Sequence, residues 1–329
     1  MPLLPPDSVR RHVLPNGLTV LIRRDRSAPV AAIVTYVNAG YFDETDDMVG
    51  IAHVLEHMFF KGTPTRGVGE IARQTKAVGG YLNAATIYDH TMYYAVVPAS
   101  GFVSALEIQA DAYRNSLIDG DELRREHEVI IQEAKRKVDN PGAVANETLY
   151  ELMHDRHRIR RWRIGREDGL RRLTRDDVVG FYRNFYRPST TVLVVVGDVE
   201  EKLALDHIQR LYGNIPSGEP TRSPGPSEHG RTGFRYREME GDIAQTQLAL
   251  GWRTVGTLHD DAAPLDMLAT VLSAGRASRL YRAVRERKLV SSITAYNYTP
   301  ADIGVFTIQA EATPDTARTA LEAVWDQLR

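Results

Sequence analysis

Apolar and polar positions change period several times along the chain, and each change marks an element. Residues 17–23 and 30–38 are rich in β-branched side chains between turn formers, which predicts two strands. Residues 49–60 and 70–78 follow as helices. The runs 81–87 and 92–97, joined through Tyr88-Asp89-His90, predict a hairpin. Helical periodicity returns over 101–115, 120–138, 144–154 and 174–186. The unbroken apolar run 191–196 predicts a buried strand, closed by Gly197-Asp198 and followed by a helix to position 211. Hairpins mixed with runs of helices favour an α+β fold over a doubly wound parallel sheet.

Residues 213–232 interrupt this pattern with Pro216, Pro220, Pro224 and Pro226 among Gly and Ser, the composition of a surface linker. The pattern then restarts, with strands expected at 245–252, 290–298 and 304–312. Helices are expected at 262–272, at 278–288 and from 314 onward. The predicted division is a first domain at 1–212, a linker at 213–232 and a second domain at 233–329.

The sharpest chemical signal is His53-Val54-Leu55-Glu56-His57. On a helix, positions i, i+3 and i+4 share a face, so the three polar side chains converge. The remaining faces carry Ala52, Val54, Leu55, Met58 and Phe59, so the helix should be buried. Buried ionisable groups are costly unless paired or bound to a metal. Two imidazoles one turn apart suit a single Zn²⁺ per chain, and Glu56 between them is placed to take a proton from a zinc-activated water. With 10 His in 329 residues, chance would produce the pattern about 0.02 times.

Composition narrows the choice of further ligands. The chain has no cysteine, so a third ligand must be His, Asp or Glu. In the helix 120–138, Glu126 and Glu133 fall on the apolar arc with Leu123, Val129, Ile130 and Ala134, opposite the ordinary surface charges. One of the two acids is expected on the metal and the other hydrogen-bonded to a ligand. Helical geometry alone leaves open which is which. The competing reading is a solvent-open helix end with both acids hydrated.

Charge and hydropathy exclude other classes. Lys+Arg 41 against Asp+Glu 43 leaves a net charge of −2, which argues against a dedicated nucleic-acid binder. No apolar run approaches the ~20 residues that span a bilayer. The first eleven residues carry no apolar signal core, so the cytoplasm is the expected compartment and the periplasm the alternative. Eight arginines from Arg156 to Arg172 are read as a solvated segment paired with nearby acids rather than as an acidic-partner or nucleic-acid patch.

The motif block resembles the pitrilysin/insulinase family of inverted-motif zinc metallopeptidases, in its bacterial processing-peptidase-like branch. The resemblance rests on Gly40, on Gly50 through Thr63, on Gly79-Gly80-Tyr81-Leu82-Asn83-Ala84-Ala85-Thr86, and on Asp89, Thr91 and Tyr94. It continues through Glu126 to Glu133 and through Phe181 to Tyr186. It implies tandem homologous α/β-sandwich domains with a mixed, mostly antiparallel sheet; the chain departs from it in length, so that the second domain, at 233–329, reads as incomplete. It also implies a zinc endopeptidase with His53, His57 and Glu133 as ligands, Glu126 supporting them and Glu56 as general base. Residues 82–85 would form an edge strand on which a peptide lies, in contact with Asn83, Ala84 and Ala85; for Asn83 alone, turn capping is the competing reading. The family's distal arginine matches Arg285, but Ser292 stands where its tyrosine is expected, with Tyr296 and Tyr298 further on. That departure implies a homologous partner subunit, in a heterodimer or a homodimer. The alternative function is a non-catalytic scaffold subunit, although such members lack the zinc motif that is complete here.

Overall fold

The alternating segments of the first part of the chain form a six-stranded sheet in the computed structural model, which describes residues 8–230 and 233–329. Its strands are β1 (Arg10–Val13), β2 (Thr19–Arg24), β3 (Val30–Val37), β4 (Tyr81–Thr86), β5 (Thr91–Pro98) and β6 (Thr191–Gly197), in the order β1-β2-β6-β3-β5-β4. β2 and β6 run parallel and every other pair is antiparallel. The register puts Val20, Leu193, Thr35 and Tyr93 in one row and Ile22, Val195, Ile33 and Ala95 in the next. All eight are buried, because period-2 alternation sends them to one face.

Helices cover that face. In chain order, the helices between positions 51 and 212 are α1 (Ile51–Met58), α2 (Glu70–Ala77), α3 (Phe102–Asn115), α4 (Gly120–Val138), α5 (Pro141–Met153), α6 (Glu167–Leu170), α7 (Arg175–Phe185) and α8 (Glu201–Tyr212). α3 packs on β3 and β5, α8 on α3 and β2, and α1 against β4 and α7. Phe59, just past α1, stacks on Tyr93 of the sheet with centroids 3.6 Å apart. The start of α1 is pinned by the buried Glu44, which accepts the backbone N–H groups of Gly50 (3.1 Å) and Ala52 (3.0 Å). A carboxylate there satisfies orphan donors and complements the helix dipole. Gly50 is required at that point: its φ is 98°, and a Cβ would lie 2.7 Å from the Ile164 carbonyl oxygen.

A second unit is built on the antiparallel sheet β7-β9-β8, from β7 (Thr246–Thr254), β8 (Ser292–Tyr298) and β9 (Gly304–Ala312). With α9 (Ala262–Ser273) and α10 (Ala317–Leu328) it buries a core that includes Leu272, Leu280, Val284, Ile308, Ala320 and Val324. Among the described residues no helix is long and apolar enough to cross a membrane.

Packing divides the chain into 1–132 with 163–224, and 133–162 with 225–329. This differs from the expected 1–212 and 233–329 in assigning residues 133–162 to the second unit. The reason is α5, which lies across β7 so closely that a Cβ on Gly251 would collide with Met153 Sδ and meet Leu149 Cδ2 at 3.0 Å. The cut falls inside α4, which is a single unbroken helix. Within the expected linker, Glu228 is fastened to this second unit. Its carboxylate accepts the N–H groups of Asp155, Arg156 and His157 at 2.9–3.2 Å and lies 3.4 Å from Arg253.

Other departures have local causes. β1 reads Arg-Arg-His-Val and is mostly exposed, so it carries no apolar alternation. α5 starts three residues before the expected 144, because Asn140 caps it and Pro141 occupies its first turn. The expected helix 278–288 is reduced to a π-helical turn at Tyr281–Arg285, and the chain turns away at Lys288 with φ 59°. In the arginine-rich segment, Arg171 pairs with Glu128 and Glu167 and Arg172 with Asp168, as expected, whereas Arg158 is buried.

Burial pushes the Glu228 carboxyl pKa up, but the three backbone donors and Arg253 outweigh it and bring it down to about 2. A depressed carboxylate contributes stability that is present above its unfolded pKa and lost as pH falls through the folded value. Glu228→Gln is therefore expected to cost about 1–3 kcal/mol at pH 7 and to flatten the acid limb of the stability curve between about pH 4.5 and pH 2. Urea titrations across that range check both.

Candidate metal centre

α1 turns one face toward α4 and β4, and that face carries the polar triplet. His53 is buried, while Glu56 and His57 are half-buried. The two imidazoles stand edge to face with centroids 4.7 Å apart. His53, His57 and Glu133 each bring one ligand atom to within 4.8 Å of the others. Glu133 reaches that point because α4 runs unbroken from Glu126, and seven residues are close to two full turns.

Glu126 sits two turns earlier and does something different. Its Oε2 lies 3.0 Å from His57 Nδ1, and its Oε1 accepts from the Lys61 ammonium. A proton on Nδ1 satisfies that contact and places the ring's lone pair on Nε2, the tautomer a metal needs. Burial pushes the Glu126 carboxyl upward, but the hydrogen bonds from Lys61 and His57 outweigh it and hold it below its usual range. The Lys61 loop is anchored in turn by Asp111, which accepts Thr63 Oγ1 (2.6 Å), Thr65 Oγ1 (2.9 Å) and Arg66 Nη1 (2.5 Å).

Glu56, Glu126 and His57 open onto a cleft of about 260 Å³ whose other walls are Phe60, Lys61, Leu82, Asn83 and Ala84. β4, which supplies the last three, is the edge of the sheet and, among the described residues, pairs only with β5. Leu82, Ala84 and Thr86 face the helices, and Asn83 and Ala85 face the other way. The Asn83 side-chain oxygen accepts the next backbone N–H, from Ala84, at 2.9 Å. The structure thus brings His53, Glu56, His57, Glu126 and Glu133 together and sets Asn83 and Ala84 at the cleft wall. Arg285 lies instead on the second unit's π-helical turn, its guanidinium 5.6 Å from the Tyr281 ring centre.

Two neighbours of the site were not singled out from the sequence. Lys61 lies in the loop just past α1, where no helical spacing pairs it with Glu126. Thr86 donates to Glu56 Oε2 at 2.5 Å, and period-2 alternation from Ala84 is its signal. The donor set of two imidazole nitrogens and one carboxylate oxygen, with no sulfur, fits zinc with one coordination position left over.

Comparison with known proteins places these residues in a wider group. Residues 19–164 match the family model described as insulinase (peptidase family M16), and residues 172–329 match one described as the peptidase M16 inactive domain. All five clustered side chains lie in the first match. A protein of Rickettsia felis described as an uncharacterized zinc protease is 32% identical over 320 residues, covering 96% of this chain and 75% of its own. A probable mitochondrial-processing peptidase subunit beta of Arabidopsis thaliana is 28% identical, covering 95% of this chain and 61% of its own. Among solved structures, a protease from Helicobacter pylori superposes with a TM-score of 0.90 at 25% identity, covering 96% of this chain and 78% of that one.

The geometry gives the two acids of α4 separate expected behaviours. Glu133→Gln should abolish stoichiometric zinc binding. Glu126→Gln should retain zinc but weaken it about 10–100-fold. Competition against a chromophoric chelator measures both, and the reverse ranking would exchange the two assignments.

Proposed function

The chain belongs to the insulinase family of peptidases, and on that premise we propose that it is a zinc-dependent endopeptidase acting on peptides or unfolded segments. The observation that carries the reading is the convergence of His53, His57 and Glu133 to within 4.8 Å, with Glu56 beside them. His53, His57 and Glu133 would hold the metal. When bound there, zinc supplies Lewis acidity, which acidifies a water and polarises a carbonyl.

The rest is the work of this chain's own side chains. Glu56 takes a proton from the attacking water and returns it to the leaving amine as the peptide bond breaks. Glu126, braced by Lys61, keeps His57 in one tautomer and one orientation. The edge of β4 binds the substrate as an added antiparallel strand through main-chain hydrogen bonds, a mode that tolerates varied sequence but requires an extended chain. Asn83, Ala84 and Ala85 are the proposed contact residues. Ser292, Tyr296 and Tyr298 alternate on one exposed face of β8. With serine at the first of these positions, a homologous partner subunit, in a heterodimer or homodimer, is proposed to complete the substrate site. The scaffold alternative predicts a chain that neither binds zinc tightly nor cleaves.

Glu56→Gln is expected to keep its zinc and lose about 10²–10⁴-fold in cleavage of an unstructured fluorogenic peptide. Removal of the metal with a chelator should silence the wild type, and zinc should restore it. Cleavage by Glu56→Gln at the wild-type rate would remove Glu56 from the role of base.

A further inference from the structure

Glu56 is the group on which the proposed chemistry turns, and it is held from the sheet as well as by its own helix. Thr86, the last residue of β4, donates its hydroxyl to Glu56 Oε2 at 2.5 Å. Directly across the strand pair stands Thr91 of β5, whose Oγ1 is 3.3 Å from that of Thr86. Thr91 is buried and donates to the carbonyl oxygen of Ala39 at 3.0 Å. The hydroxyls therefore have a direction. Thr91 spends its proton on a backbone carbonyl, and Thr86 is left to spend its own on Glu56.

We infer that Thr86 is a positioning residue for the general base, holding Oε2 of Glu56 and with it the plane of the carboxylate. This deepens the proposed peptidase reading and rests on Glu56 being the base. The last torsion of a glutamate side chain is broad and roughly two-fold, so a short hydrogen bond to one oxygen narrows the planes its carboxylate can take. A hydroxyl donated to Oε2 favours one plane for the carboxylate and so sets the direction from which it can take a proton. Placement matters as much as chemistry. Thr86 shares a face with Leu82 and Ala84, which wall the cleft, so the strand proposed to receive the peptide also carries the contact that aims the base. Ordering β4 by substrate thereby orders Glu56, and docking and proton transfer are linked through one hydroxyl.

The test compares Thr86→Val, which keeps shape and removes the donor, with Thr86→Ser, which keeps the donor. Thr86→Val is expected to lower kcat about 10–100-fold, with KM within about twofold and zinc content unchanged, and Thr86→Ser to recover most of kcat. Apo crystal structures give a readout independent of turnover: the Glu56 carboxylate should leave its position in Thr86→Val and keep it in Thr86→Ser. A Thr86→Val enzyme with wild-type kcat, or one whose loss lies in KM or zinc content, would overturn the inference. The same holds if Thr86→Ser is as impaired as Thr86→Val while both fold normally. Glu56→Gln, assayed beside them, separates the two failures. If it cleaves normally, the base assignment is wrong. If it is inactive while Thr86→Val is not, only the role of Thr86 is lost.

Discussion

The site depends on the 3.0 Å contact between His57 and Glu126. Without it, His57 would be one imidazole among others, able to turn either nitrogen toward a metal. With it, a proton on Nδ1 would be matched by a carboxylate oxygen and Nε2 would be left for the space shared with His53 and Glu133, the arrangement the proposed metal site requires. The two acids differ in task because the helix that carries them advances about 10.5 Å over seven residues. They share a face, yet Glu126 stands beside Nδ1 of His57 while Glu133 joins the cluster of His53 and His57. The proposed division of labour between the two acids therefore depends on α4 being a single unbroken helix from Gly120 to Val138.

Holding ionisable groups in partly buried surroundings demands rigid support, and it comes from several directions. Glu44 closes the first turn of α1 through two backbone N–H groups, and Phe59 stacks on Tyr93 beyond its last turn. Tyr93 in turn meets Tyr186 hydroxyl to hydroxyl at 2.6 Å. Burial raises the pKa of both phenols and keeps them neutral. α1, only eight residues long, is thus held at both ends by contacts outside itself, as a helix too short to be stable alone requires.

Much of this was legible in the sequence, and the reasons are specific. The spacing of His53, Glu56 and His57 and the apolar arc holding Glu126 and Glu133 both express helical period, which survives without tertiary information. The buried strands announce themselves through β-branched runs. What escaped depends on contacts between segments distant in sequence. Nothing near Glu228 says that three backbone donors of residues 155–157 await it, so the linker read as featureless. Nothing in residues 144–154 says that α5 would pack on Gly251, so the domain boundary read as falling only at the prolines. Lys61 and Thr86 are ordinary surface residue types whose importance lies wholly in what they touch.

The remaining constraint concerns β4. An edge strand with open main-chain groups is a hazard in most proteins, blunted by charge, proline or a bulge. Here Tyr81–Thr86 contains none of these on its six residues. The strand instead begins after Gly79-Gly80 and ends on Thr86, tied to Glu56. An edge kept open, uncharged and anchored at the functional end has the properties needed to accept a second chain in register. If β4 receives an extended chain as proposed, main-chain pairing alone would not select among sequences, and selection would fall to the side chains that line the cleft, Lys61 and Glu126 among them.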